Sequence, residues 1–225
     1  MYNGKKVLAF IPARKGSKRL KNKNMLKINN IPLFQYSVEV AKKSKYIDDI
    51  LVSTDSEEIL SLAHSLGCIK NELRPDELSQ DTSRIIDAII YEIEKNNLKD
   101  YSAVVLLQPT SPYRKETILD SAIRKYFETE TSLITVVESK EQPIFLRTIK
   151  NEKLEKIVND TSDIRSQEFK KIYRIVGSIY INNINKINPK TVLNENEVPF
   201  IIDEEYFVDI DTYEDFKNIK EKLEI

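Results

Sequence analysis

The chain has 225 residues, 40% of them hydrophobic and 32% charged, with a formal net charge of −1. That length suits one sizeable domain, and the balanced charge excludes a global pull toward nucleic acid or anionic membrane, so any polyanion must be met by a local patch. The single cysteine, Cys68, excludes an internal disulfide. With no apolar run near the roughly 18 residues of a membrane span, and LAFI too short for a signal-peptide core, a cytoplasmic protein is expected.

Lys6–Ile11 reads as a buried strand. It leads into Ile11–Leu26, IPARKGSKRLKNKNML, where Arg14, Lys15, Lys18, Arg19, Lys21 and Lys23 crowd around Gly16 and Ser17. A strand feeding a basic, glycine-containing loop suits phosphates, because backbone N–H groups converge there and the cations neutralise the anion. The loop is neither GxxxxGK[ST] nor GxGxxG, and a merely solvated basic turn is the alternative. Pro32–Ser44 reads as a helix with Leu33, Tyr36, Val40 and Ala41 on one face, and Asp49–Thr54 as the next strand. Asp55 follows, either as a helix cap or as a group supporting the same rim. Ser56 has the character of an N-cap, with Glu57 and Glu58 in the first turn, and Gly67 that of a C-cap.

Residues 71–82 form a polar loop, and Ser83–Asn96 a helix carrying Ile86, Ile89, Ile90 and Ile93. The strand Ala103–Leu107 ends in Gln108-Pro109-Thr110-Ser111-Pro112. A helix over Lys115–Phe127 and a strand over Leu133–Glu138 follow. Strands alternating with helices argue for an α/β fold with a mostly parallel sheet. Ligands bind such sheets at the carboxyl ends of the strands, which puts the basic loop, Asp55 and the Gln108–Ser111 loop on one rim.

From Glu141 to Tyr173 the rhythm breaks into short strand-like pieces, IFLRTI and LEKIV, and reads as an inserted arm. Gly177–Asn182 returns to strand, Phe207–Ile210 reads as a short strand, and Thr212 caps a helix to Leu223. In a strand Asp209 and Asp211 project together. Two carboxylates that close call for a hard divalent cation, Mg²⁺ or Mn²⁺. The alternative is that Asp211 begins the helix cap and Asp209 is solvated. His64, Cys68, Tyr173 and Tyr180 read as structural residues.

Six stretches in order, IPARKGSKRLKNKN, LVSTDSEEI, LRPDELSQDTS, LLQPTSPYR, RIVGSIYIN and FVDIDTYEDF, resemble the acylneuraminate cytidylyltransferases, the CMP-sialic acid synthetases and their relatives acting on legionaminic and pseudaminic acids. The resemblance runs from Val7 to Phe216. It implies a Rossmann-like nucleotidyltransferase fold over 1–225, with helices on both faces of the sheet and 141–175 as a dimerisation arm, and hence a homodimer. It also implies the reaction: CTP and a nine-carbon 2-keto sugar acid give the CMP-sugar and pyrophosphate, with Mg²⁺.

By the same resemblance Arg14 and Lys23 stabilise charge on the triphosphate, Asn24 helps hold the nucleotide, and Gly16, Ser17 and Lys18 shape the cradle. Asp81 and Thr82 fall near the cytosine. Gln108, Thr110 and Ser111 face the sugar, Arg165 and Arg174 match arginines near the sugar and the phosphates, and Arg147 stands where some relatives place a sugar-side lysine. Asp209 and Asp211 match the metal ligands, and one of them takes the proton of the anomeric hydroxyl, directly or through water. The chain departs from the pattern at Lys15, at Arg19 where glycine is common, and at Lys21 where proline is common. The run Ser83-Arg84-Ile85 leaves the hydroxyl that would contact the base unplaced.

Three other readings compete. Enzymes for the eight-carbon keto acid of lipopolysaccharide usually carry an acidic QGDxP-type loop, which Gln108–Pro112 lacks. A binding module without catalysis predicts damage at Arg14, Lys23, Asp209 or Asp211, and all four are present. A nucleic-acid-binding role needs a wider basic face with interleaved aromatics.

Overall fold

Alternation along the first strand, β1 (Val7–Pro12), decides the layering. Successive side chains on a strand point to opposite faces, and here both sets are apolar, so both faces must be covered. The computed structural model describes residues 1–158 and 170–223 and shows how this is met. After β1 come β2 (Lys27–Ile28), β3 (Ile31–Pro32), α1 (Leu33–Lys43), β4 (Asp49–Ser53), α2 (Glu57–Ser65), α3 (Ile85–Lys95), β5 (Ala103–Leu106) and α4 (Glu116–Thr129). Then follow β6 (Leu133–Glu138), β7 (Arg147–Lys150), β8 (Lys153–Lys156), β9 (Tyr173–Asn182), β10 (Val198–Ile201) and α5 (Tyr213–Leu223).

A six-stranded sheet has the order β10-β6-β9-β5-β1-β4, with β9 antiparallel to both neighbours and the other strands mutually parallel. Val7, Ala9 and Ile11 face Phe34 and Val38 of α1, Ile59 and Ala63 of α2, and Leu119 and Ile123 of α4. Leu8 and Phe10 face Ile86, Ile89 and Ile93 of α3. The expected α/β architecture, mostly parallel with helices on both faces, is the one observed. Ser56 caps α2 by accepting from the Ile59 N–H at 3.4 Å, and Gly67 ends that helix at φ 80°, a left-handed conformation that glycine adopts without steric cost. Cys68 is buried, and desolvation pushes its thiol up to about 11, which suits core packing. Half-buried His64 faces Asn71 Oδ1 at 3.4 Å.

Two expectations from the sequence are corrected. Among the described residues Phe207–Ile210 pairs with no strand, and the strand beside β6 at that edge of the sheet is β10, whose Pro199 is tolerated because an edge needs no second ladder. The alternation in Phe207–Asp211 has another cause. Val208 and Ile210 turn inward onto Leu20, Ile28, Leu33 and Phe216, a small apolar cluster apart from the sheet core. In addition β9 begins at Tyr173, earlier than expected, because its pairing with β6 continues past an irregularity between Ile134 and Val136.

Strands β7 and β8 form an antiparallel hairpin whose residues are all exposed. Arg165 lies outside the described residues. Among the described residues no helix is long and apolar enough to cross a membrane.

The small cluster makes a stability prediction. Ile210 is fully buried, so Ile210→Ala should cost about 2–5 kcal/mol, read from urea unfolding. An unchanged midpoint would show that the cluster does not hold the segment.

Candidate active site

The chain leaving β1 is fixed before it becomes a loop. Ala13 N donates to Ser53 O at 2.9 Å, and Lys15 N to Asp55 Oδ1 at 2.6 Å. Asp55 thus supports the rim, the second of its two sequence readings. Buried Asn24 reaches back with Nδ2 to Arg14 O at 2.8 Å and closes the loop on itself.

The loop's cations are aimed by two acids from distant parts of the chain. Asp81 takes Arg14 Nη2 and Lys18 Nζ, each at 2.8 Å, and these two partners hold its carboxyl below the usual aspartate range. Asp211 takes Lys23 Nζ at 3.1 Å and Arg19 Nη1 at 2.6 Å, and Lys23 also donates to Ile210 O at 2.9 Å. The acidic segment is tied across the cleft as well, since Ile210 N donates to Thr110 O at 2.9 Å.

These contacts frame a cleft of about 360 Å³ at the carboxyl ends of β1 and β5. Arg14, Gly16, Ser17, Lys23, Asn24, Asp81, Gln108, Thr110, Asp209 and Asp211 all line it. Other expected site residues stand elsewhere. Lys18 is turned onto Asp81 at the rim, Thr82 is in an exposed turn, and Ser111 is 2% exposed, with its N–H on Gln108 O at 3.2 Å. Arg147 is in the exposed hairpin, bonded to Leu146 O at 2.8 Å, and Arg174 lies over the Phe207 ring at 4.1 Å.

Several residues in or behind the cleft wall carry no role in the sequence reading. Arg74 is 5% exposed; burial lowers its pKa, while the charges of Asp55 and Glu92 act the other way. Its Nε donates to Ser79 Oγ at 3.1 Å. Ser83 also lines the cleft, and its hydroxyl ties the loop together, donating to Glu77 O at 2.8 Å and accepting from Gln80 N at 3.0 Å. Arg114 braces the far wall: it donates to Ser178 O and Ser37 Oγ at 2.9 and 3.0 Å and to Gln108 O, and enclosure lowers its pKa to about 9. No periodicity or spacing marks these residues, because each acts through contacts between distant loops.

A divalent cation has a chemically suitable seat. Solvent reaches Asp209 through the cleft, yet the enclosing walls push its carboxyl up, and the charge of Asp211 adds to the effect against a hydrogen bond from Thr110. The charge of Lys23 acts the other way, and the two neighbouring carboxylates offer hard oxygen donors that suit such an ion. Among the described residues no group of three or more His, Cys, Asp or Glu side chains could hold a metal. Asp209 and Asp211 would therefore share an ion with other oxygen ligands.

Comparison with known proteins places the chain. The family model described as "Cytidylyltransferase" matches residues 8–221. The chain belongs to the cytidylyltransferase family. The CMP-N,N'-diacetyllegionaminic acid synthase of Legionella pneumophila is 32% identical, over 98% of this chain and 97% of that protein. The pseudaminic acid cytidylyltransferase of Campylobacter jejuni serotype O:23/36 is 30% identical, over 96% and 95%. The N-acylneuraminate cytidylyltransferase of Escherichia coli O18:K1:H7 is 32% identical over 94% of this chain but only 51% of its own length. A solved CMP:2-keto-3-deoxy-manno-octonic acid synthetase complexed with CTP superposes with a TM-score of 0.74 at 16% identity, covering 97% and 98% of the two chains. A 4-diphosphocytidyl-2C-methyl-D-erythritol synthase does so at 0.67 and 9% identity, covering 97% and 99%. Both likenesses concern the nucleotidyltransferase fold.

One wall of this cytidylyltransferase depends on a missing Cβ. A methyl at Gly177 would lie 2.2 Å from Gln108 Oε1, so Gly177→Ala must push that amide aside. If Gln108 orients the acceptor, the variant should lose about tenfold or more in kcat/KM for the acceptor and keep its KM for the nucleotide. Steady-state kinetics with each substrate varied in turn checks this.

Proposed function

We propose that this cytidylyltransferase moves CMP from CTP onto the anomeric hydroxyl of a nine-carbon, sialic-acid-like 2-keto sugar acid: N-acetylneuraminate, legionaminate or pseudaminate. The observation that carries the reading is a single cleft in which Arg14 and Lys23 meet Asp209 and Asp211, with Gln108 and Thr110 opposite. Relatives named for such acids at 30–32% identity support the same class.

In this reading the triphosphate lies along the basic loop. Arg14 and Lys23 neutralise charge that builds on the α-phosphate and the departing pyrophosphate, with Gly16, Ser17 and Lys18 around them. Asn24 holds Arg14 in place through its carbonyl. Asp81 and Ser83 line the end of the cleft assigned to the base, with Thr82 in the exposed turn beside them. Gln108 and Thr110 orient the sugar, and Ser111 secures their loop from behind.

A neighbouring pocket of about 320 Å³, lined by Ile85, Tyr180, Val192 and Leu193 beside Gln108, gives room for N-acyl or deoxy groups. The anomeric oxygen attacks the α-phosphorus in line as the bond to the β-phosphate oxygen breaks, and the electron pair leaves with pyrophosphate. Asp209, made more basic by its enclosure, receives the hydroxyl proton directly or through a water. Asp209 and Asp211 would hold Mg²⁺ or Mn²⁺, which when bound supplies charge neutralisation to the phosphates.

The arm is read as the contact between two copies. Phe145, Ile149 and Leu154 are 69%, 78% and 71% exposed, and a two-stranded hairpin needs cover to be stable. In that dimer the arm brings Arg147 toward the neighbouring cleft, and Arg174 lies at its base.

Pyrophosphate release from CTP and Mg²⁺ with a panel of nine-carbon acids and the eight-carbon octulosonate tests the reading. Turnover with a nine-carbon acid is expected. Turnover with the octulosonate alone would move the assignment to that acid, and none at all in the intact dimer would end it. Asp209→Asn and Asp211→Asn should each lose about a hundredfold or more in kcat with an unchanged circular dichroism spectrum. Ile149→Asp with Leu154→Asp should sediment as a monomer.

A further inference from the structure

We propose that, in the free protein, the Arg19–Asp211 ion pair keeps a divalent cation off the acidic pair, so that the cation enters together with a nucleotide whose phosphates draw Arg19 away. The inference rests on the cytidylyltransferase reading above and concerns how its cleft is loaded.

Both oxygens of Asp211 are already taken, Oδ1 by Lys23 Nζ at 3.1 Å and Oδ2 by Arg19 Nη1 at 2.6 Å. A cation approaching Asp211 must displace one of them and face the positive charge of both. The two partners differ in how firmly they are held. The Lys23 side chain is 14% exposed and is tied a second time, to Ile210 O at 2.9 Å. The Arg19 side chain is 71% exposed, and Asp211 is its ion-pair partner. An exposed pair of this kind is held by little free energy, so Arg19 is the partner that can leave.

Independently, the described residues offer no group of three or more metal-ligating side chains. Two carboxylates alone do not fill the six or more oxygen positions of a hard divalent cation, so further oxygens must come from the ligand and from water. A triphosphate supplies both what the cation lacks and what Arg19 prefers, since a guanidinium pairs with phosphate oxygens through parallel N–H donors. Once Arg19 moves to the phosphates, Asp211 Oδ2 faces the cleft beside Asp209. Metal and nucleotide then bind with positive coupling, and linkage requires each to tighten the other by the same factor.

The test is Mn²⁺ binding followed by water-proton relaxation, with and without CTP and in the absence of any sugar acid, after correction for Mn²⁺ bound to CTP in solution. Wild type, Arg19→Gln, Asp211→Asn and the double variant are compared. Arg19→Gln should bind Mn²⁺ in the free protein roughly three- to tenfold more tightly than wild type, and the tightening caused by CTP should shrink by a similar factor. In the Asp211→Asn background Arg19→Gln should have no such effect. Equal Mn²⁺ affinities of free wild type and Arg19→Gln, with CTP still bound, would overturn the proposal and leave the proposed function standing. A gain that persists without Asp211 would also overturn it. Failure of wild type to bind CTP, with or without Mn²⁺, would overturn both.

Discussion

The site depends on a packing contact that carries no chemistry. Leu20, Ile28, Leu33, Val208, Ile210 and Phe216 form an apolar cluster beside the main core. Leu20 is the inward residue of the basic loop, and Val208 and Ile210 are the inward residues of the acidic segment. Burying them together turns their neighbours outward into one cleft, so Lys23 and Arg19 face Asp211 although 188 and 192 positions separate them in sequence. Hydrophobic burial is non-directional, but the two-residue alternation of an extended chain gives it direction here.

Within that frame, electrostatics arranges the loop. A cluster of exposed cations repels itself and would spread over many conformations in water. Asp81 gathers Arg14 and Lys18, Asp211 gathers Arg19 and Lys23, and Asp55 pins the backbone at Lys15. A bound polyanion therefore competes with carboxylates already in place, which limits indiscriminate binding of anions. The opposite wall follows a different logic: Arg114 satisfies carbonyl and hydroxyl oxygens from three parts of the chain and fixes the Gln108 loop through these neutral acceptors.

Local signals carried most of the architecture into the sequence. The apolar runs of β1, β4 and β5, the Ser56 cap, the Gly67 stop and the isoleucine stripe of α3 all act within a few residues, and they stand where the pattern put them. The alternation at Phe207–Asp211 was legible too, but it does not say what the inward residues pack against. A strand and an extended clamp look alike by that criterion. Strand β10 was missed because Pro199 argues against a strand unless its edge position is known. Charge clustering marked the basic loop and the two-residue spacing marked Asp209 and Asp211, while the family resemblance singled out Arg14 and Lys23 within the loop. Arg74, Ser83 and Arg114 were not marked, because their placement is decided by the three-dimensional meeting of loops.

The clamp between Leu20 and the Val208–Ile210 segment also fixes when the cleft comes into being. During synthesis the polypeptide emerges from its amino end, and β1, α1, β4 and β5 can associate as soon as they leave the ribosome. The basic loop is then extruded long before Val208 and Ile210, and until they arrive Leu20 has no lid and the loop's cations face solvent. Closing so long a segment is entropically slow. Strands β4, β1 and β5 can therefore pair well before the acidic segment exists, whereas β9, which sits between β5 and β6, and the edge strand β10 emerge only shortly ahead of Val208, so a chain that stalls there holds its sheet without one wall of the cleft.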